Sequence, residues 1–123
     1  GLILQYNGFD GAYEKVFSSV KIASLSGFAI SASSTTSHEV FATGYYSGRT
    51  LTKFDGQTGE FLSRFKDEDL QMPGGIVTHD DSAYVTSKGA IRQYSLSTGR
   101  LIRISTVFEG AMFNFVTVAA QCN

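Results

Sequence analysis

The stretch "YYSGRTLTKFDGQTGEFLSRF", Tyr45 to Phe65, places two short β-prone apolar runs on either side of the turn-rich string Asp55-Gly56-Gln57-Thr58-Gly59. An Asp opening such a string can accept bonds from backbone amides further along, which closes the loop locally. The final glycine suits the left-handed backbone that ends a hairpin loop in a bulge, a conformation that a Cβ makes costly. The string therefore predicts a hairpin. Whether that hairpin is isolated or one copy of a repeat decides the fold.

It recurs. "ILQYNGFDGAYEKVF" from Ile3, "LTKFDGQTGEFLSRF" from Leu51 and "IRQYSLSTGRLIRIS" from Ile91 align on their turns. Each has an aliphatic residue, an aromatic three positions later (Tyr6, Phe54, Tyr94), a turn-former (Asn7, Asp55, Ser95) and a glycine four positions on (Gly11, Gly59, Gly99). The glycines are 48 and then 40 residues apart, a spacing typical of one propeller blade. Upstream, "GFAISASSTTSHEVFATGYYSGRTLTKF" and "GGIVTHDDSAYVTSKGAIRQY" each supply two further strand-like runs before the run that enters the turn. With the run after the hairpin, each unit holds four strands. The single proline, the 13 glycines and the Ser/Thr-rich gaps leave little room for helices. "FKDEDLQM", Phe65 to Met72, stops at Pro73-Gly74-Gly75 and reads as a loop with at most one helical turn.

The pattern resembles the β-propeller repeats of the NHL and gluconolactonase-like group. "MPGGIVTHDDSAYVTSKGAIRQY" is similar to their proline-glycine start, turn, "LYV"-type second strand and glycine turn into the third strand. "FDGQTGEFL" is also similar to the D-x-x-T-G element of quinoprotein-type repeats, a weaker match because the chain has no tryptophan. The resemblance covers Gly1 to about Val118 and implies an all-β array of four-stranded antiparallel blades. Its motifs speak for architecture and not for activity, since propellers host unrelated functions. Residues 1–17 supply the third and fourth strands of one blade, 27–65 one full blade, 74–104 a second, and 111–118 ("AMFNFVTV") the start of another. Closed propellers need about four to eight blades. The chain is therefore expected to be part of a longer propeller, to complete its partial blades with other copies of itself, or to form an open array with unpaired edges. Its opening Gly-Leu-Ile-Leu-Gln-Tyr, without Met and already β-like, fits a processed product or the visible part of something longer.

Composition narrows the partners. With 123 residues the chain makes one modest domain. A net charge of -1 and 17% charged residues lack the basic surplus that binding nucleic acid requires. No apolar run approaches the roughly 20 residues of a membrane-spanning helix, and no signal-peptide succession is present. A single cysteine, Cys122, cannot form an intrachain disulfide or a CxxC site. Low charge, abundant Ser, Thr and Gly, and the lone thiol lean toward an extracellular or cell-surface setting.

No sequence motif assigns a catalytic residue, a cofactor or a metal. His38 in "TSHEV" and His79 in "THDDS" have acidic neighbours, but they fall on turns about a blade apart, whereas ligands must converge within about 2 to 2.5 Å of one ion. They read as solvated turn residues. "DGAYE" and "DGQTGE" lack the EF-hand spacing and are explained by their hairpins. In propellers of the kind the chain resembles, ligands usually sit on the face formed by the second-to-third-strand loops and the blade-to-blade loops. Here that face would carry Tyr45, Tyr46, Arg49 and Lys88, with Lys66, Asp67, Glu68 and Asp69. Tyrosines beside an arginine suit a protein or glycan contact; the plainer alternative has one Tyr packed inward and the rest as ordinary surface. The expectation is a non-catalytic binding or assembly module. Two alternatives stand: a fragment of a propeller enzyme, a lactonase-like hydrolase or lyase with its site partly outside this chain, and an oligomeric sugar-binding propeller.

Overall fold

The computed structural model describes residues 1–31, 38–44 and 49–106, of which all regular structure is β. The strands are β1 (Leu4–Tyr6), β2 (Tyr13–Val16), β3 (Leu25–Ser31), β4 (Glu39–Gly44), β5 (Thr50–Asp55), β6 (Phe61–Lys66), β7 (Pro73–His79), β8 (Ser82–Ser87), β9 (Ala90–Ser95) and β10 (Leu101–Thr106). They form a two-stranded sheet β1-β2 and two four-stranded sheets, β3-β4-β5-β6 and β7-β8-β9-β10. Every pairing is antiparallel and joins strands consecutive in the chain. Segment 111–118 and Cys122 lie outside the described residues.

The three related turns share one hydrogen-bond pattern. Gly11, Gly59 and Gly99 donate their amides to the carbonyls of Asn7, Asp55 and Ser95 at 2.9, 2.9 and 2.8 Å. Those three residues in turn donate to Ala12, Glu60 and Arg100, and the glycines have φ of +74°, +76° and +71°. Asn7 Oδ1 accepts the amides of Phe9 and Asp10, Asp55 Oδ1 those of Gln57 and Thr58, and Ser95 Oγ that of Thr98. The Thr58 amide and hydroxyl and the Gln57 amide hold the Asp55 carboxyl below its ordinary value. By turn chemistry, β1-β2 corresponds to β5-β6 and β9-β10, the last two strands of each complete sheet. The segment 67–72 makes one turn, Leu70 donating to the Asp67 carbonyl at 3.0 Å, and contains no helix.

Strand alternation buries the middle sheet on both faces. Val40, Ala42 and Phe54 point one way and pack with Ile3, Phe17 and Ile22. Phe41, Leu51 and Phe65 point the other way and pack with Ile76, Ala83, Val85 and Tyr94. The middle sheet thus lies between the other two, and burial of a side chain such as Phe41 stabilises the stack by roughly 2–3 kcal/mol. Strand β7 lies directly against β3 and β4. A Cβ on Gly27 would come within 3.1 Å of the Gly74 carbonyl oxygen, so the two backbones approach as closely as that glycine allows. Polar threads cross the seam: Ser26 Oγ donates to the Pro73 carbonyl at 2.7 Å, and Thr78 Oγ1 to that of Ile30 at 2.9 Å.

Apolar side chains stay open on the first sheet and on β3, as they do on β6 (Leu62) and β10 (Ile102, Ile104). Leu4, Tyr6, Tyr13 and Val16 are exposed on the two-stranded sheet, with Tyr6 and Tyr13 in edge-to-face contact at 5.7 Å. Phe28 and Ile30 are 51% and 61% exposed, although they share a face with the buried Ala42 and Val40.

Candidate functional site

Antiparallel connectivity brings the β4–β5, β6–β7 and β8–β9 connections to one end of the sheets. Lys66 pairs with Thr50 and Ser87 with Ala90, while Ser87 Oγ donates to the Gln71 carbonyl at 2.7 Å. Strained backbone concentrates at this end. Among the described residues, Ser24, Arg49 and Met72 take a left-handed φ (47°, 64° and 46°) immediately before β3, β5 and β7, and Lys88 (37°) does so one residue ahead of that, with Gly89 between it and β9. At the opposite end, among the described non-glycine residues, only Asp80 does so. Such conformations cost on the order of 1–3 kcal/mol each and cluster where a surface is used.

Of the residues expected to form a contact patch, Tyr45 and Tyr46 lie outside the described residues. Arg49 is exposed and reaches Glu68, Nη1 to Oε2 at 3.3 Å, while its carbonyl accepts the Asp67 amide at 3.0 Å. Lys66 Nζ meets the other Glu68 oxygen at 2.5 Å. Lys66 first and Arg49 second hold the Glu68 carboxyl below its ordinary value. Lys88 sits with Gly89 in the two-residue β8–β9 turn, both at positive φ. The described part of this end is therefore a rim of exposed cations around one shared carboxylate, solvated and weakly held.

Behind the rim lies a network that periodicity in the sequence does not single out. Asp67 Oδ2 accepts from Tyr94 Oη at 2.6 Å and Arg92 Nε at 3.0 Å; Asp67 Oδ1 accepts the Asp69 amide at 2.9 Å. Arg92 Nε also lies 3.1 Å from Tyr94 Oη, and Arg92 Nη2 makes an ion-pair contact with Asp67 Oδ2 at 2.9 Å without an aligned hydrogen bond. Arg92 and Tyr94 are buried on the core face of β9, the face they share with Ala90. Once the register sets Arg92 on the buried face beside Ala90 and Tyr94, its charge needs a buried partner.

The protonation states assign the network a role. Burial pushes the Asp67 carboxyl up, but the Tyr94 hydroxyl, the Asp69 amide and the Arg92 charge outweigh it and hold the group below its ordinary value. Burial, followed by the hydrogen bond to Asp67, pushes the Tyr94 hydroxyl well up. At neutral pH Asp67 is ionised and Tyr94 protonated, and neither is poised to exchange a proton as a general acid–base pair must be. The network is a clamp that fixes the β6–β7 connection to the third sheet. Leu70, 1% exposed in the same connection, adds an apolar anchor.

At the opposite end, the His38 carbonyl accepts the Gly56 amide at 2.8 Å, and the exposed His79 lies 3.4 Å from Asp80. Among the described residues no three metal-ligating side chains converge. Asp81 takes bonds from Ser97 and Ser95, tying the β7–β8 turn to the β9–β10 turn. Between the two-stranded sheet and β3 runs a cleft of ≈ 320 Å³ lined by Ile3, Tyr6, Phe17, Phe28, Ile30 and Val40. No helix among the described residues is long and apolar enough to cross a membrane. In comparisons with known proteins, no family model matches the chain and no curated protein matches it.

Proposed function

We propose that the chain is a non-catalytic binding or assembly module built from β-propeller-type blades of the NHL or gluconolactonase-like kind. The observation that carries this reading is the stack of antiparallel sheets whose first member presents an apolar cleft and an open edge, with Phe28 and Ile30 more than half exposed. Open strand edges and apolar faces are the surfaces through which β repeats gain partners. The strained, cation-rimmed loop end, with Arg49 and Lys88, supports a second contact surface for a protein or glycan. The partner through the cleft is another copy of the chain or the remaining blades of a longer one.

The experiment is the mass of the native particle beside that of the denatured chain. A 13.3 kDa chain found in multi-copy particles supports assembly. A denatured mass well above 13.3 kDa restores the propeller-enzyme alternative, because further blades could supply a site. A lone 13.3 kDa particle at all concentrations would overturn the assembly reading.

A further inference from the structure

Resting on that reading, we infer that the cleft between β1 and β3 is a strand-acceptor site whose occupant is segment 111–118, "AMFNFVTV", of a second copy of the chain. In both complete sheets the strand leading into the conserved-geometry hairpin, β5 or β9, is hydrogen-bonded on its two edges. Strand β1 leads into the same hairpin but is paired on one edge only, to β2, among the described residues. The open edge borders the cleft.

The other side of the middle sheet shows what such a cleft is built to receive. There Phe41, Leu51 and Ala29 are covered by Ile76 of β7 and by Ala83 and Val85 of β8, the first two strands of the next sheet. On the cleft side the corresponding cover stops at Ile3 and Phe17, which leaves Phe28 and Ile30 exposed while Val40 and Ala42 are buried. A strand added beside β1 would extend the ladder to three strands and close part of the cover. It must be apolar on both faces, as β4 is, where five of six residues are buried. Segment 111–118 comes close to that need: Ala111, Phe113 and Phe115 alternate with Met112, Val116 and Val118, with Asn114 and Thr117 as its polar members where β4 has Glu39 and Thr43.

Direction identifies the copy. The chain passes from the last strand of one sheet to the first strand of the next, away from β1, at each crossover. To fill its own cleft, the segment would have to return across two layers of ~10 Å and two strand spacings of ~4.8 Å, about 22 Å in all. The link 107–110 spans about 17 Å at full extension. A second copy seated head to tail has no such constraint, and repetition of that contact closes a ring or continues as an open series.

The test uses two full-length variants and native mass spectrometry. An acceptor variant, Phe28→Asp with Ile30→Asp, alters exposed positions. A donor variant, Phe113→Asp with Phe115→Asp, alters the segment. The expected result is multi-copy particles for the unaltered chain, a single-chain 13.3 kDa species for each variant, and a two-chain particle, no larger, when the variants are mixed. Circular dichroism that matches the unaltered chain establishes that each variant folds, and Ile30→Lys alone, expected to weaken assembly at least tenfold, serves if the double change does not. Unchanged assembly of a folded variant, or no two-chain particle on mixing, overturns the inference while the assembly reading stands. An unaltered chain that stays single overturns both.

Discussion

A Cβ added at the three hairpin glycines separates backbone strain from collision. Gly11, Gly59 and Gly99 share nearly the same left-handed φ, so the conformational cost of Gly→Ala is common to all three. That cost is about 1–2 kcal/mol, offset by about 0.4–1 kcal/mol from the stiffer unfolded chain. At Gly11 nothing lies within 4 Å of the new methyl group, and the net loss is about 0.5–1 kcal/mol. At Gly99 the methyl group lies 2.6 Å from the Phe65 ring, and an off-rotamer ring adds about 0.5–1.5 kcal/mol. At Gly59 it lies 1.8 Å from the Phe17 carbonyl oxygen, so the two backbones must part by more than 1 Å. That motion breaks the 3.0 Å bond from Ser19 N to the Gly59 carbonyl and loosens the 2.8 Å bond from Phe61 N to Ser19 Oγ. With about 1 kcal/mol for each bond, and unpacking of the buried Phe17 ring, Gly59→Ala is expected to cost about 3–4 kcal/mol. Urea denaturation at equal protein concentration reads the series. With m near 1.5 kcal/mol/M, the midpoint falls by about 0.5 M for Gly11→Ala and about 2 M for Gly59→Ala. Equal shifts at all three positions would refute the contact between the second hairpin turn and the first sheet.

Asp67→Asn leaves the buried Arg92 without its charge partner and is expected to cost about 3 kcal/mol at neutral pH. Because the Asp67 carboxyl is depressed in the folded chain, its contribution is complete above the unfolded value near 3.8 and is lost as pH falls through the lower folded value. The stability difference between Asp67→Asn and the unaltered chain therefore shrinks below about pH 4, which urea midpoints from pH 7 to pH 2 check. Lys88→Asn places a residue tolerant of left-handed backbone at the first position of the β8–β9 turn and is expected to raise stability by about 0.5 kcal/mol, read as a higher thermal midpoint.

Much of the β architecture was legible because its signals are local. An Asp, Asn or Ser that closes its own turn, and a glycine four residues later, need no distant partner, so the hairpins could be read from Asn7–Gly11, Asp55–Gly59 and Ser95–Gly99. The four-stranded sheets followed from counting apolar runs between those turns. The Asp67–Arg92–Tyr94 clamp was not legible, since its members come from a loop and a strand 25 residues apart and meet only when two sheets stack. Arg92 reads as an ordinary strand cation until the register places it beside Ala90 and Tyr94 on the core face. The left-handed residues at the loop end were also silent, because Ser24, Arg49, Met72 and Lys88 have little in common as residue types. Tyr45 and Tyr46 were chosen for their chemistry alone, and their part in a contact face remains a proposal.

The glycine seam between β3 and β7 has a geometric consequence. Where Gly27 meets Gly74 and Gly75 the two sheets touch backbone to backbone, whereas away from that seam they are separated by Phe41, Leu51 and Phe65. These two sheets therefore form a wedge, with side-chain volume at one side and almost none at the other. How far this wedge opens is set by the side chains that fill its wide side. An alanine at position 27 thickens the thin side, and in any assembly built by repeating this contact it would change the number of layers needed to come full circle.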